Sequence, residues 1–191
     1  MNLQTLRHAP TANLSYLLCA GQQAVVIDPS FQASELLERA RALGLQIAYV
    51  LNTHGHHDHS AGNEAICTAT GATLIDARAQ SPIELGALRI QVIPTPGHTP
   101  DSVCFLSDGK LFTGDTLFVG ECGRTDLPGG DAGQLYDSLF VTLARLPDST
   151  EIYPGHDYGP QPVSTLGRER RDNYVLRRRT REQFIAFMQE P

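Results

Sequence analysis

The stretch Thr-His-Gly-His-His-Asp-His at residues 53–59 holds four of the seven histidines in the chain. It follows the apolar run Ile47–Asn52, which predicts a strand buried on both faces, so these histidines lie on the loop at the C-terminal end of that strand. Open α/β architectures tend to bind ligands at this end of their strands. Imidazole and carboxylate groups are the ligands that zinc, iron and manganese take in proteins. We therefore expect a metal site, in which His54 and His56 face one ion across an extended turn and the following Asp-His pair faces a neighbouring ion.

Two further histidines and one aspartate occupy similar positions at the ends of predicted strands. His98 lies in Pro-Gly-His-Thr-Pro at residues 96–100, and His156 lies in Pro-Gly-His-Asp at residues 154–157. A Pro-Gly pair favours a tight turn and leaves room for a close approach of the backbone. Asp115 closes another strand within Thr-Gly-Asp-Thr at residues 113–116. Six of the seven histidines thus lie at predicted strand ends, which favours a common metal site over a set of ordinary polar loops.

The composition is typical of a globular protein. Of the 191 residues, 41% are hydrophobic and 19% are charged, and the formal net charge is −6. No apolar run approaches the roughly 20 residues of a membrane helix, and the first residues lack the layout of a secretory signal. The negative charge disfavours a dedicated nucleic-acid binder. We expect a cytoplasmic protein without a membrane or nucleic-acid partner, whose cysteines stay reduced and mostly fill the core (Cys19, Cys67, Cys104 and Cys122).

The patterns along the chain predict hairpins and helices in alternation. Strands are expected at 14–19, 24–28, 47–52, 88–95, 103–106, 110–113 and 151–153. Helices are expected at 34–43, 63–70, 131–146, 163–172 and 180–188. No linker or low-complexity tract interrupts these elements, so residues 1–191 are expected to form a single domain. Hairpins separated by helices indicate an α/β fold in which two packed sheets are covered by helices.

The ordered set of motifs resembles the metallo-β-lactamase superfamily. The motifs are Thr-His-x-His-x-Asp-His, Pro-Gly-His-Thr-Pro, Thr-Gly-Asp and Tyr-Pro-Gly-His, and the match extends from about Leu14 over nearly the whole chain. The resemblance implies a four-layer αββα sandwich with metals at one edge between the sheets. It implies two divalent ions, of which zinc is the first choice and iron or manganese the alternatives. It also implies that the side chain of His57 points away from the ions. By position, the implied ligands are His54, His56 and His98 for the first ion, Asp58, His59 and His156 for the second, and Asp115 as the bridge.

Within the superfamily, the chain is similar to the glyoxalase II group and to the neighbouring persulfide dioxygenases. The similarity lies in Gly-Glu-Cys-Gly-Arg-Thr-Asp at residues 120–126 and Tyr-Pro-Gly-His-Asp-Tyr at residues 153–158. True β-lactamases of this fold often have a cysteine where Asp115 stands and are usually exported, so hydrolysis of antibiotics is not expected. The 35 residues after His156 are too few for the C-terminal helical domain of full-length glyoxalase II, which helps to hold glutathione.

The first function that this resemblance implies is hydrolysis of a small thioester, such as a glutathione conjugate. Two divalent cations would lower the pKa of a shared water toward roughly 7, so that hydroxide attacks the carbonyl carbon. A thiolate leaves with little help from a general acid. Asp58 or Asp115 can orient the nucleophile. Arg124 can bind a substrate carboxylate or pair with Asp126, and Tyr158 can donate its hydroxyl to the substrate or pack within its loop.

A second function on the same fold is that of a persulfide dioxygenase. The resemblance implies that such an enzyme holds one Fe(II) through His54, His98 and Asp115, with positions open for dioxygen and a sulfur substrate. Two departures favour the hydrolase. Asn-Tyr-Val-Leu at residues 173–176 stands where the dioxygenases have Asn-Pro-Arg-Leu, so an arginine contact to glutathione is absent, and Leu127 replaces their usual phenylalanine.

Arginines concentrate near the C-terminus, where seven of the fourteen lie between Arg168 and Arg181. Such a run can form a local anion site, but a solvated helix face is its commoner origin. A module that binds single-stranded nucleic acid would need more interleaved aromatic residues than Tyr174 and Phe184. We therefore expect a solvated helix face in this part of the chain.

Overall fold

The computed structural model of the protein describes residues 2–190, and within this range the strands form two mixed sheets. The first sheet contains, side by side in this order, β1 (Asn2–Arg7), β2 (Leu14–Ala20), β3 (Gln23–Ile27), β4 (Gln46–Leu51) and β5 (Thr73–Leu74). The second sheet contains, also in chain order, β6 (Ile83–Leu85), β7 (Leu88–Pro94), β8 (Val103–Ser107), β9 (Lys110–Gly114), β10 (Glu151–Pro154) and β11 (Ser164–Thr165). The neighbours β3–β4, β4–β5 and β9–β10 are parallel, and the other neighbours are antiparallel.

The two sheets pack face to face because residues alternate along their strands. In β2, Tyr16 and Leu18 point into the space between the sheets, while Leu17 points to the opposite face. Phe105 and Phe112 fill the same central layer from the second sheet and are fully buried. Burial of a phenylalanine side chain contributes about 1.5–3 kcal/mol to folding, so this layer is a main source of stability.

Helices cover both outer faces. The first sheet is covered by α1 (Ala33–Ala42) and α3 (Asn63–Thr70), whose Leu36 and Ile66 pack against the outward residues of β2, β3 and β4. The second sheet is covered by α4 (Ala132–Asp137), α5 (Leu166–Asp172) and α6 (Arg181–Met188). The predicted four-layer αββα sandwich is confirmed. No helix within residues 2–190 combines the length and apolarity that crossing a bilayer requires.

Most predicted elements lie within a few residues of those observed, with two differences near the C-terminus. The predicted helix at 131–146 changes its winding, because α4 continues into a wider π-helical turn (Ser138–Thr142) and then a 3₁₀ turn (Leu143–Arg145). The π-helical turn begins where Ser138 Oγ donates a hydrogen bond to the carbonyl of Pro96. The predicted helix at 163–172 begins only at Leu166, because the two residues before it pair with β10 as β11. Strands β1, β5 and β6 were not predicted.

The topology brings four chain segments to one edge of the sandwich. The histidine stretch follows the C-terminal end of β4, Asp115 follows β9, and His156 follows β10. Since β9 and β10 are parallel, their C-terminal ends meet at the same edge. His98 follows β7, on a turn whose Gly97 has φ +143° and packs against the backbone of Leu135 in α4, where no side chain would fit. Helix α4 therefore fixes the turn that carries His98.

Candidate metal centre

The histidine stretch folds as an extended segment followed by one turn of helix, α2 (His57–Ser60). The extended turn was predicted for His54 and His56, and His56 has extended backbone angles; Asp58 and His59, expected on the same loop, lie instead on this helical turn. The difference arises because the carbonyl of His56 accepts hydrogen bonds from the backbone N–H groups of His59 and Ser60, closing the turn. His57 is exposed and its ring contacts Phe31 at 5.8 Å, outside the group of candidate ligands, as expected.

Three of the predicted ligands form a first triad of histidines. The Nε2 atoms of His54 and His98 each lie 3.0 Å from Nδ1 of His56. His54 and His98 are buried and His56 is partly exposed, so the triad opens to solvent on one side. Three ring nitrogens that converge in this way can offer lone pairs to one cation.

Three others form a second triad with one carboxylate. The Nε2 atom of His156 lies 3.3 Å from Nε2 of His59 and 3.3 Å from Oδ2 of Asp58. His59 and His156 are buried, whereas the carboxyl group of Asp58 is 37% exposed. A hard carboxylate with two imidazoles is again a donor set that suits a divalent transition metal.

Asp115 lies between the two triads. Its Oδ1 atom is 3.2 Å from Nε2 of His59, and its Oδ2 atom is 3.6 Å from Nε2 of His98 and 3.5 Å from Nε2 of His156. Oδ1 is buried and, among the described residues, has no hydrogen-bond partner of acceptable geometry. A buried carboxylate oxygen without a hydrogen-bond partner is unfavourable unless a positive charge lies beside it, and a bound cation would supply that charge. The residues therefore fit two divalent cations with Asp115 shared between them, although their role as ligands stays a prediction.

Groups behind the ligands fix the ring orientations, and sequence reasoning missed the most important of them. Asp28 is buried, and its Oδ2 atom lies 3.0 Å from Nδ1 of His59 and accepts a hydrogen bond of 2.7 Å from the hydroxyl of Thr53. When Nδ1 of a histidine donates to a carboxylate, Nε2 is left to bind the metal. The backbone carbonyl of Arg124 lies 2.8 Å from Nδ1 of His98 and orients that ring similarly. The available signal was an aspartate at the end of β3, but its contacts lie 25–31 residues away.

The local charges of the two triads differ. Burial lowers the pKa of His54 to about 4, so its imidazole is neutral at pH 7. Burial also opposes a charge on His156, but hydrogen bonds to Asp115 and Asp58 outweigh it and raise the pKa of His156 to about 9. Burial opposes a charge on His59 too, and the carboxylates of Asp28 and Asp115 nevertheless hold its pKa well above the ordinary value. The second triad therefore attracts positive charge, which either protons or a cation can supply.

We expect the metal-free protein to lose stability as the pH rises from about 6.5 to about 9. The pKa of His156 is about 9 in the folded state and 6.5 ordinarily, so its stabilising effect is complete below pH 6.5 and is lost as the pH rises through 9. A bound cation replaces the proton, so the difference in melting temperature between zinc-loaded and EDTA-treated protein should grow over this range. Thermal melts at several pH values measure it. A melting temperature of the EDTA-treated protein that rises over the same range would contradict the expectation.

The two predicted substrate residues are exposed at the surface, and of the two only the Tyr158 side chain is seen to contact a candidate ligand, His156. The guanidinium of Arg124 pairs with Asp126, with Nε at 2.6 Å from Oδ1, and it lines a cleft of about 940 Å³ together with Arg181. The pairing with Asp126, one of the two predicted roles, is therefore present. Tyr158 is 59% exposed, and its ring stacks on that of His156 at 4.7 Å.

The arginines near the C-terminus are only partly a solvated face. Arg171, Arg177 and Arg178 are exposed, as expected. Arg170 instead donates to the last carbonyl groups of the helical segment that follows α4, from 3.0 to 3.2 Å, and so satisfies groups that lack partners at a helix end. Arg179 lies 4.1 Å from the centre of the Phe187 ring. Of the four described cysteines, none forms a disulfide; Cys104 and Cys122 are buried, as expected of residues that fill the core, whereas Cys19 and Cys67 are only half-buried.

Comparison with known proteins agrees with the fold. The model of the metallo-β-lactamase superfamily matches residues 8–85 and 73–156. A hydroxyacylglutathione hydrolase from Anaeromyxobacter dehalogenans is 40% identical over 159 residues, which cover 76% of this chain and 62% of that protein. The mitochondrial persulfide dioxygenase ETHE1 of Homo sapiens is 36% identical over 182 residues, which cover 87% of this chain and 71% of that protein.

Among solved structures, ETHE1 from Myxococcus xanthus matches with a TM-score of 0.93 and 36% identity, over 100% of this chain and 92% of that chain. The chain thus spans less than two thirds of the hydrolase from Anaeromyxobacter and nearly all of this ETHE1 chain. The family model, the relatives and the order of the motifs agree with one another. The chain belongs to the metallo-β-lactamase superfamily, on the branch that includes hydroxyacylglutathione hydrolases and ETHE1 persulfide dioxygenases.

Proposed function

We propose that the protein is a metal-dependent hydrolase of small thioesters, of the hydroxyacylglutathione hydrolase type, with two divalent ions that are zinc in the first instance. The observation that carries this proposal is the position of Asp115, whose carboxylate oxygens lie within 3.6 Å of ring nitrogens in both triads. A carboxylate shared in this way is suited to a pair of ions rather than to one. The identity of 40% with the hydroxyacylglutathione hydrolase from Anaeromyxobacter supports the thioester substrate.

The mechanism assigns a task to each carboxylate. Two bound divalent cations would supply a water of lowered pKa and would polarise the carbonyl of the thioester. A hydrogen bond with His156 lowers the pKa of Asp58, so its half-exposed carboxylate is ionised at neutral pH and accepts a hydrogen bond from the attacking water. Asp115 remains ionised as well, because the neighbouring rings of His156 and His59 outweigh the effect of burial and hold its pKa well below the ordinary value. The thiolate leaves without a general acid, since a thiol has a pKa of about 8.5.

Arg124 and Tyr158 are proposed to bind the thiol carrier of the substrate. The side chain of Arg124 is 63% exposed, so its guanidinium can donate hydrogen bonds to a carboxylate of a glutathione conjugate while it stays beside Asp126. Tyr158 presents its exposed edge next to His156, where its hydroxyl can donate a hydrogen bond. A cytoplasmic location and a single-domain organisation are parts of the same proposal, and the free thiols are consistent with a reducing compartment.

The alternative function, persulfide dioxygenase, is favoured by one specific observation. The structure matches that of ETHE1 from Myxococcus xanthus with a TM-score of 0.93 and 36% identity. In this alternative, one Fe(II) would be held by His54, His98 and Asp115. The oxygens of Asp115 lie near histidines of both triads, so the geometry accommodates this set as well.

Replacement of His156 by alanine should distinguish the two functions. A two-ion hydrolase is expected to lose its second ion and most of its activity, because His156 belongs to the second triad alone. A one-iron enzyme should keep its metal. The measurements are metal content of protein purified without chelator, thiol release from S-lactoylglutathione, and oxygen uptake with glutathione persulfide. If the unaltered protein holds one iron per chain and takes up oxygen with glutathione persulfide, its function is that of a dioxygenase and not that of a hydrolase.

A further inference from the structure

A segment far from the ligands in sequence lies against the second triad. Residues 11–13, which we call the support segment, are the last three residues of the connection between β1 and β2. Its backbone is bonded to the segment that carries His156. The Asp157 N–H donates to the carbonyl of Ala12 at 2.8 Å, and Asn13 forms an isolated antiparallel bridge with His156. Ala12 has φ +58°, a conformation that a residue with a side chain adopts only when its surroundings enforce it. The support segment is therefore held in place rather than free to adapt.

The support segment contacts two of the three members of the second triad. Asn13 is fully buried, and its Nδ2 atom donates to Oδ2 of Asp58 at 3.1 Å and to the Asp58 carbonyl at 3.2 Å. The backbone carbonyl of Thr11 lies 3.2 Å from Nδ1 of His156, which leaves Nε2 of that ring for the cluster. The first triad is supported by other groups, namely Thr53 Oγ1 behind His54 and the Arg124 carbonyl behind His98.

The orientation of the Asn13 amide is fixed by a chain of hydrogen bonds with one direction. An ionised carboxylate only accepts hydrogen bonds, so the amide nitrogen of Asn13 must face Asp58 and the amide oxygen must face Thr11. The hydroxyl of Thr11 then has to donate to Asn13 Oδ1, and it accepts from Nδ1 of His8 at 2.7 Å. Each donor thus fixes the next, and the chain ends on a carboxylate of the second triad.

From these contacts we infer that Asn13 is a positioning residue for the second metal ion and decides whether the centre holds one ion or two. The inference rests on the proposed two-ion function. Asn13 uses its N–H groups to hold Asp58 toward His156, and it makes no hydrogen bond to the histidines of the first triad. Loss of a group that orients a ligand lowers metal affinity about 10- to 100-fold. Because Asn13 contacts the second triad and not the first, removal of its amide should lower the metal affinity of the second site alone.

Zinc titration of the full chain tests the inference without any substrate. The metal-free protein is titrated with Zn²⁺ against a chromophoric chelator at one pH. The unaltered protein should bind two ions. Asn13→Ala should keep its first-site affinity within about twofold and lose about 10- to 100-fold at the second site. Thr11→Val keeps the shape and the backbone carbonyl but removes the hydroxyl that orients the amide, so it should show a smaller loss at the same site, and Thr11→Ser should restore the affinity.

Thr5→Val provides the matched control. Thr5 is exposed on β1, away from the cluster, and its replacement by valine is the same chemical change as Thr11→Val. Should Asn13→Ala fail to fold, Thr11→Val carries the same comparison. The inference is overturned if Asn13→Ala, or Thr11→Val in its place, binds both ions as tightly as the unaltered protein does. It is also overturned if the variant loses affinity equally at both sites, or if the unaltered protein binds only one zinc ion. Selective loss at the second site in a protein that does not hydrolyse S-lactoylglutathione would uphold the inference and remove the proposed function.

Discussion

Asp115→Asn is expected to lower thioester hydrolysis about a thousandfold or more and to reduce the bound metal to one ion or less. The replacement keeps the shape of the side chain but removes its negative charge from a position within 3.6 Å of ring nitrogens in both triads. An amide also turns an N–H group toward one of the sites, and such a group cannot be a ligand. A thousandfold loss corresponds to about 4 kcal/mol of transition-state stabilisation, which is the upper part of the range for one electrostatic group in an active site.

Metal content and the rate of thiol release from S-lactoylglutathione measure the effect of Asp115→Asn together. Asp101→Asn is a suitable control, because Asp101 lies beside Gly55 of the histidine stretch but belongs to neither triad. We expect the control to retain two ions and near-normal activity. An Asp115→Asn variant that keeps both ions and most of its rate would rule out the shared carboxylate as the basis of the function.

The sandwich is predictable from sequence because its central strands carry their own pattern. Strands such as β3 and β9 are short apolar runs bounded by turn residues, and the turn at Ser107-Asp108-Gly109 marks one hairpin directly. Strand β1 has no such pattern, since most of its residues are exposed or half-buried and it is an edge strand that pairs on one side only, with β2. The π-helical turn after α4 likewise begins at a residue with a remote contact, since the hydroxyl of Ser138 donates to the carbonyl of Pro96.

The candidate ligands are predictable, but the groups that orient them are not. The ligands are rare residue types at strand ends, and their clustering in sequence is itself a signal. Asp28 and Asn13 are single polar residues whose contacts with the histidine stretch span 25 to 45 positions, so their role depends on where the chain returns. Asparagine and aspartate after a strand are usually read as turn residues. Their burial sets them apart from ordinary turn residues, since Asn13 is 0% exposed and Asp28 is 2% exposed.

Gly155→Ala should damage the metal centre more than it damages the fold. A methyl group at this position would contact Oδ1 of Asp115 and would lie 2.7 Å from Cε1 of His59, so both side chains would have to move. Displacement of catalytic groups by about 1 Å costs on the order of a hundredfold in rate. Overpacking in a close-packed region costs about 1–3 kcal/mol of stability, which a protein of this size can tolerate. We therefore expect a folded variant with less than two ions and at least about a hundredfold lower thioester hydrolysis.

Gly120→Ala separates this effect from the general cost of replacing a glycine. Gly120 has φ +83°, so alanine is strained there, but its methyl group would meet no atom within 4 Å. The two variants should therefore differ in kind. Gly120→Ala should lower the melting temperature while it keeps its metal and its rate, and Gly155→Ala should lose metal and rate beyond what its melting temperature explains. Equal metal content in the two variants would show that the close approach of Gly155 to Asp115 and His59 does not shape the centre.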